Sequence, residues 1–260
     1  MRRLFIAVAA ATVLAIAAAP ATAKDWTKIR VATEGAYAPF NFIDKNGQLQ
    51  GFDVDIAKAL CAQMKAQCTF VAQDWDGIIP ALLAKKYDAI IASMSITEER
   101  KKKVAFSNKY YNTPAKFVRK KGSGTEINAA SLKGKAIGVQ RATIHENFLR
   151  DNYGKIVDIK AYDTQENANL DFAAGRVDLM LADSVALLDG FLKTDAGKNA
   201  EFVGPDFTDP KWFGDGVGIA VRKGDQDLAD AFSKAIAAIR ANGTYQKINA
   251  KYFDFNVYGN

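Results

Sequence analysis

Histidine is nearly absent from this chain of 260 residues; the single copy is His145. General acid–base chemistry near neutral pH draws on histidine more than on any other side chain, and metal sites draw on clusters of histidine and cysteine. With one histidine and two cysteines, and with no nucleophile motif, we read no catalytic residue, no metal site and no cofactor. His145 falls in the first turn of an expected helix and reads as a surface or rim residue. Proline is scarce as well, at six copies, and no tract is of low complexity, which argues against disorder. Charge of one sign is also in short supply. The formal charge of +6 becomes +4 once Arg2 and Arg3 are set aside, so nucleic acid is not an indicated partner. The lysines are scattered except in Arg100-Lys101-Lys102-Lys103. Glu98 and Glu99 precede that run, and on its own it reads as a solvated helix face.

Long apolar runs are missing everywhere but at the start. Arg2 and Arg3 form a positive n-region, Leu4 to Ala19 an apolar stretch, and Ala21-Thr22-Ala23 a small-x-small site. This is the pattern of a cleaved secretory signal peptide. The apolar stretch falls short of the roughly 20 residues of a membrane span. We expect residues 1–23 to be removed after Ala23, leaving Lys24 first and the chain in the periplasm. No cysteine follows the site, so a lipid anchor is not indicated, and the mature chain is not expected to span a membrane.

An exported chain meets an oxidising compartment, where Cys61 and Cys68 can pair. Seven residues of continuous helix would hold them about 10.5 Å apart along the axis. A disulfide needs Cα atoms within about 7 Å. Either the helix stops after Cys61 and the chain turns back, or the bond does not form; the strand-like Thr69-Phe70-Val71 favours the turn.

The remaining chain alternates short apolar runs with amphipathic stretches. Strands are expected at 29–32, 68–72, 88–91, 136–139, 157–159, 178–181 and 217–221. Helices are expected at 53–62, capped near Asp53, and at 75–84, 143–152, 165–174 and 225–240, with a last one from Gly243. Such alternation predicts an α/β fold of mostly parallel sheets with helices on both faces. An internal echo suggests two lobes of similar build. Ala84-Lys85-Lys86-Tyr87-Asp88-Ala89-Ile90 matches Ala174-Gly175-Arg176-Val177-Asp178-Leu179-Met180 in pattern. Each runs from a helix end into a strand that soon reaches polar residues, Ser93 and Ser95 in one case and Asp183 in the other. Ligands of open α/β sheets sit beyond the carboxyl ends of strands.

Long motifs in sequence order then carry a resemblance: ATEGAYAPFNF, GFDVDIAKALC, DWDGIIPALLAKKYDAI, SMSITEER, FGDGVG and KYFDFNVYG. Nearly the whole mature chain resembles the periplasmic lysine/arginine/ornithine-type amino-acid-binding proteins of ABC importers. The resemblance implies a two-lobed type II periplasmic-binding-protein fold that closes over a free amino acid. Lobe 1 would comprise 24–111 and 215–260, lobe 2 would comprise 115–207, and hinge crossings would lie at 112–114 and 208–214. It also implies an inner-membrane ABC permease as partner, a monomeric state and a Cys61–Cys68 disulfide.

The same resemblance distributes roles. Arg100 would grip the α-carboxylate, which suits a planar guanidinium fork. Ser93 and Ser95, two apart in an expected extended stretch and so on one face, would take carboxylate and α-amino group, with Ala92 offering backbone or packing. Thr143 and the Ile144 N–H, at a helix N-terminus suited to anions, would meet the carboxylate from lobe 2. Related sequences often carry a second hydroxyl where Ile144 stands. Asp183 would take the α-ammonium, with a plain N-cap as its structural alternative. Tyr37 and Trp75 would wall the ligand side chain. Gln140 and Arg141 would tune side-chain choice, and Glu34 would clamp a cationic tip. Arg100, Asp183 and Glu34 sum to −1, which a lysine or arginine zwitterion balances. Histidine, opines such as octopine or nopaline, and polar neutral amino acids are the alternative ligands. A dehydratase on the same fold and a membrane-tethered sensor domain are the alternatives outside transport.

Overall fold

Residues 24–259 are described by a computed structural model; the expected signal peptide, 1–23, lies outside them. The described strands, in chain order, are β1 (Lys28–Thr33), β2 (Ala36–Tyr37), β3 (Asn41–Ile43), β4 (Leu49–Gln50), β5 (Gln67–Ala72), β6 (Ala89–Ile90), β7 (Val104–Phe106), β8 (Ala115–Lys120), β9 (Ala136–Gln140), β10 (Asp158–Tyr162), β11 (Leu179–Asp183), β12 (Ala200–Phe207) and β13 (Ala220–Arg222). They build one sheet in the order β5-β1-β6-β13-β7, a second in the order β10-β9-β11-β8-β12, and a small hairpin sheet β2-β3-β4. Within each large sheet four strands run one way and one is reversed. The reversed strand is β13 in the first sheet and β8 in the second. Each is the strand with which the chain enters its sheet after crossing from the other. The fold is thus the two-lobed, mostly parallel α/β arrangement expected.

Period-two patterning fills both faces of each sheet. From β1, Ile29 and Val31 enter the core that includes the helices Phe52–Gln63 and Gln226–Ala241, while Ala32 enters the core of the helix Trp75–Leu83. From β11, Leu179 and Leu181 pack on one side, and Met180 and Ala182 on the other. A fully buried Leu or Ile contributes roughly 1.5–3 kcal/mol, so these two-sided strands anchor each lobe. Two-sided burial makes β11 read as a nearly unbroken apolar run, whereas the exposed Arg30 interrupts β1.

The echo is structural. The helix Trp75–Leu83 ends through Ala84 and the left-handed Lys85 (φ 61°), and the helix Gln165–Ala173 ends through Ala174 and the left-handed Gly175 (φ 77°). This is the usual C-terminal reversal of a helix. It delivers β6 in one lobe and β11 in the other to the middle of their sheets, with their carboxyl ends at the cleft.

Several boundaries differ from expectation. The first large helix begins at Phe52, not Asp53, with Gly51 before it. Its opening N–H groups are taken by carbonyls of the preceding loop, Phe52 by Pro39 (3.1 Å) and Asp53 by Phe40 (2.7 Å). The Asp53 carboxylate is therefore not needed as a cap. Gly51 has φ 117°, and a Cβ there would stand 2.3 Å from the Phe40 carbonyl oxygen, so the loop requires glycine. The helix runs on to Gln63, past Cys61, before the chain turns into β5. That turn brings the Cα atoms of Cys61 and Cys68 to 6.1 Å, and the disulfide is formed. The strand expected at 217–221 is shorter, and Val217 instead bridges Ser95 and Tyr111. Strands β7, β8 and β12 were not expected. Among the described residues no helix is long and apolar enough to cross a membrane.

Candidate ligand-binding site

Between the two sheets lies a narrow cavity of about 30 Å³. Its walls come from the ends of elements that the topology aims at the cleft. Lobe 1 supplies Glu34 after β1, Tyr37 in β2, Trp75 at a helix start, Ala92, Ser93 and Ser95 after β6, and Arg100. Lobe 2 supplies Gln140 at the end of β9, then Thr143, Ile144 and His145 at the start of the helix Ile144–Tyr153. Asp183, at the end of β11, lines an adjoining cavity that shares Tyr37, Ser93, Ser95, Ile144 and His145 with the first. Every residue expected at the site except Arg141 therefore borders one of two joined cavities.

Arg100 stands on the short helix Glu98–Lys101, which Thr97 caps by accepting the Arg100 N–H. Its guanidinium donates to the Ser95 carbonyl (3.0 Å) and lies 5.2 Å from the Trp75 ring centroid, a cation–π distance. Burial lowers its pKa to about 10, against a smaller opposing pull from Glu99. Among the described residues no carboxylate forms an ion pair with it. This is a half-buried cation with no ion-pair partner among the described residues, and the basic-run reading of Arg100 as a solvated face does not hold.

Glu34 forms a second charged corner. It is 8% exposed and accepts a hydrogen bond from Gln140 Nε2 (2.6 Å). The same nitrogen donates to the Asp163 carbonyl (3.2 Å). Burial raises the Glu34 pKa to about 7; the Gln140 bond lowers it, and Asp74 and Asp76 raise it. An acid held there favours any cation that can reach it.

Four contacts join the lobes around the cavity, and the lobe 2 partner in each lies within residues 140–147. Gln140 meets Glu34, Trp75 Nε1 donates to the Ala142 carbonyl (3.0 Å), Arg141 pairs with Asp76 (2.7 Å), and Asn147 donates to Glu99 (3.4 Å). Arg141 also pairs with Asp163 in its own lobe (2.7 Å). Its side chain lines neither of the two cavities. Ala142 is left-handed (φ 57°), an uncommon conformation for a residue with a Cβ.

Three expectations about individual groups are corrected. Ser93 is not extended; it is left-handed (φ 54°), and its hydroxyl donates to Asp53 (2.9 Å). The spacing argument that put Ser93 and Ser95 side by side fails at that residue. The Thr143 hydroxyl is spent within lobe 2, donating to the Gln140 carbonyl (2.7 Å) and accepting the Glu146 N–H (3.2 Å). Glu146 in turn accepts the Ala142 N–H (2.6 Å), a variation on the capping box written as Thr-x-x-Glu. With its hydroxyl so engaged, this helix end faces the cavity with the backbone N–H groups of its first turn. His145, expected as a surface or rim residue, is half-buried and lines both cavities, and burial, with Arg100 nearby, lowers its pKa to about 3. A lone histidine carries no periodic signal; the only available hint was that the first turn of this helix points at the cleft.

Asp183 is the N-cap that its structural alternative described. One oxygen caps the next turn through Val185 N–H (2.8 Å) and Ala186 N–H (3.1 Å), and the other accepts from the Thr113 hydroxyl. Burial raises its pKa to about 6, against those bonds. It remains an acid beside Tyr37, and the two charged corners with Asp183 between carry −1 in total when both acids are ionised.

Two lobes that share a cavity lined from both sides are the architecture of a solute-binding protein. The chain belongs to the bacterial extracellular solute-binding proteins of family 3, whose model matches residues 29–255. It is 52% identical over 255 residues to the L-arginine-binding protein of Pseudomonas aeruginosa, covering 98% of each chain. It is 45% identical to the lysine/arginine/ornithine-binding periplasmic protein of Escherichia coli K12, covering 89% of each. A solved Salmonella typhimurium periplasmic binding protein with high arginine specificity superposes with a TM-score of 0.80 at 33% identity, covering 87% of this chain and 99% of that one. These relatives are binding proteins, and this chain is one too rather than an enzyme.

Proposed function

We propose that this protein captures a free cationic amino acid (arginine, lysine, ornithine or histidine) in the periplasm and delivers it to an inner-membrane ABC permease. The observation that carries the reading is the pair of unmatched charges on one cavity wall, the half-buried Arg100 without an acid and the buried Glu34 with only the neutral Gln140. A zwitterion with a cationic side chain supplies a carboxylate to the first, an ammonium to Asp183 and a second cation to Glu34. The names of the relatives agree with this. An opine is less well served, because Arg141 is already shared by Asp76 and Asp163 and lies outside the cavity wall. In this reading the signal peptide is cleaved after Ala23 and the mature chain acts as a monomer. Lobe 1 is 24–111 with 215–260, lobe 2 is 115–207, and they hinge at 112–114 and at 208–214, where the short helix Pro210–Phe213 and the left-handed Gly214 (φ 76°) lie. A thermal-shift screen of the protein with free amino acids and opines tests it. Arginine, lysine or ornithine should raise the melting temperature most; a greater rise with glutamine, glutamate or octopine would overturn the cationic assignment.

A further inference from the structure

Behind the cavity lies a buried carboxylate that no ligand contact requires. Asp53 is fully buried, as are Asn41 and Tyr110 beside it. Asp53 accepts from the Asn41 side-chain amide (2.9 Å), the Ser93 hydroxyl (2.9 Å) and the Tyr110 hydroxyl (2.7 Å). The Tyr110 oxygen also accepts the Ser93 N–H (3.3 Å), and the Asn41 carbonyl oxygen accepts the Gly35 N–H (2.8 Å). The network therefore grips two loops at once. One is the turn after β1, whose Gly35 adjoins Glu34. The other is the segment after β6, whose Ser93 adjoins Ala92 and leads to Ser95.

The grip matters most at Ser93. A residue with a Cβ held at φ 54° pays a conformational cost, and such a conformation persists only where surrounding contacts over-determine it. Here the contacts are visible: Asp53 binds the Ser93 side chain, and Tyr110, itself bound to Asp53, binds the Ser93 N–H. With its hydroxyl turned to Asp53, Ser93 offers the cavity mainly its backbone, and the turn it makes sets the direction of the chain into Ser95. The Ser95 carbonyl in turn holds Arg100. Three donors on one carboxylate also explain how a buried acid can sit here, although burial still raises its pKa to about 6.

We infer that Asp53 is a positioning residue for ligand binding, which acts through Ser93 by fixing that residue's left-handed turn. The inference rests on the proposed amino-acid-binding reading. The test is a thermodynamic cycle with arginine titrated calorimetrically into the full mature protein, its variants and their combinations. Asp53→Asn should weaken arginine binding about ten-fold or more in the wild-type background. Glycine adopts positive φ without strain, so in a Ser93→Gly background the same Asp53→Asn change should cost no more than about three-fold. A purely structural Asp53 would lower affinity equally in both backgrounds, and that result would overturn the inference, as would unchanged affinity in Asp53→Asn. If Asp53→Asn does not fold, Tyr110→Phe with and without Ser93→Gly repeats the cycle, because it removes the hydroxyl that joins Ser93 N–H to Asp53. Failure of the binding reading is separable, since the wild-type protein would then show no heat with arginine.

Discussion

At the Arg100 corner of the cavity the donors outnumber the acceptors, and at the Glu34 corner the reverse holds. Arg100, the neighbouring wall residue His145 and the first-turn N–H groups of the helix Ile144–Tyr153 border one region without a carboxylate among them. Glu34 lies near Asp74 and Asp76 with Gln140 as its bonding partner. The first corner fits what all amino acids share, an α-carboxylate. The second fits what only some have, a cationic tip. If the proposed reading holds, affinity and selectivity are carried by different residues, so single changes should separate them.

The largest effect is expected at the shared corner. Arg100→Ala should weaken every amino-acid ligand in parallel, by about 2–5 kcal/mol, the usual loss when one partner of a buried charge pair is removed. Arg100→Lys should recover part of it, keeping the charge but losing the planar fork. Calorimetry on arginine, lysine and glutamine measures both variants. A loss confined to the cationic ligands would mean that the two corners have been assigned the wrong way round.

The selecting corner should respond differently. Glu34→Gln keeps the shape and removes the charge. Cationic ligands should lose about 2–5 kcal/mol, while glutamine should lose little and could gain, because no unmatched carboxylate is left in the wall. A competition series on the two proteins decides it. An unchanged rank order would move the selecting role from Glu34 to Gln140.

Acidification should act on the same corner without any mutation. With its pKa near 7 in the free protein, Glu34 gains a proton as pH falls from 7.5 to 5.5, and a bound cation must displace it. Arginine affinity should therefore drop by up to about ten-fold per pH unit below 7 and level off above it. The stability of the free protein moves the other way. A carboxyl whose folded pKa is raised contributes stability that is fully present below its unfolded pKa and lost as pH rises through about 7. Glu34→Gln should flatten the steepest part of the affinity profile and leave the milder contribution of Asp183, whose pKa is near 6. A profile identical in wild type and variant would assign the proton to another group.

How much of this was legible before the structure depends on where a residue's partners lie. Strands β9 and β11 read clearly because both of their faces are buried, and the residues expected at the cleft came from strand ends and from the resemblance that the contiguous motifs carry. Asp53 was misread as a helix cap because an acid in a first turn usually is one. Its actual partners, Asn41, Ser93 and Tyr110, are 12, 40 and 57 residues away, and no local pattern announces them. Ser93 failed for the same reason, since its left-handed turn is imposed from Asp53 and Tyr110. Strands β8 and β12 pair antiparallel across a long separation, and neither alternates cleanly. Arg141 looked like a cavity residue by its place beside Gln140, and only the fold shows which of the two turns inward.

That last pair gives the smallest expected effect. Gln140 and Arg141 are adjacent, yet Gln140 is 3% exposed and touches Glu34, whereas the Arg141 side chain is 44% exposed and ties Asp76 of lobe 1 to Asp163 of lobe 2. Ion pairs this open to water contribute about 0–1 kcal/mol each. Arg141→Ala should therefore shift arginine affinity by no more than about five-fold, and equally for all ligands, since the contact it loses is between lobes and not with the side chain of the ligand. The change should fall on the dissociation rate, because the Asp76 pair exists only while the lobes are together. It should also shrink at high salt, where exposed charges are screened. Gln140→Leu should do the opposite, altering the ratio of arginine to glutamine affinity with little dependence on salt. Stopped-flow dissociation at two ionic strengths, run on both variants, separates them. A change of ligand ranking in Arg141→Ala would show that this residue reaches the ligand after all.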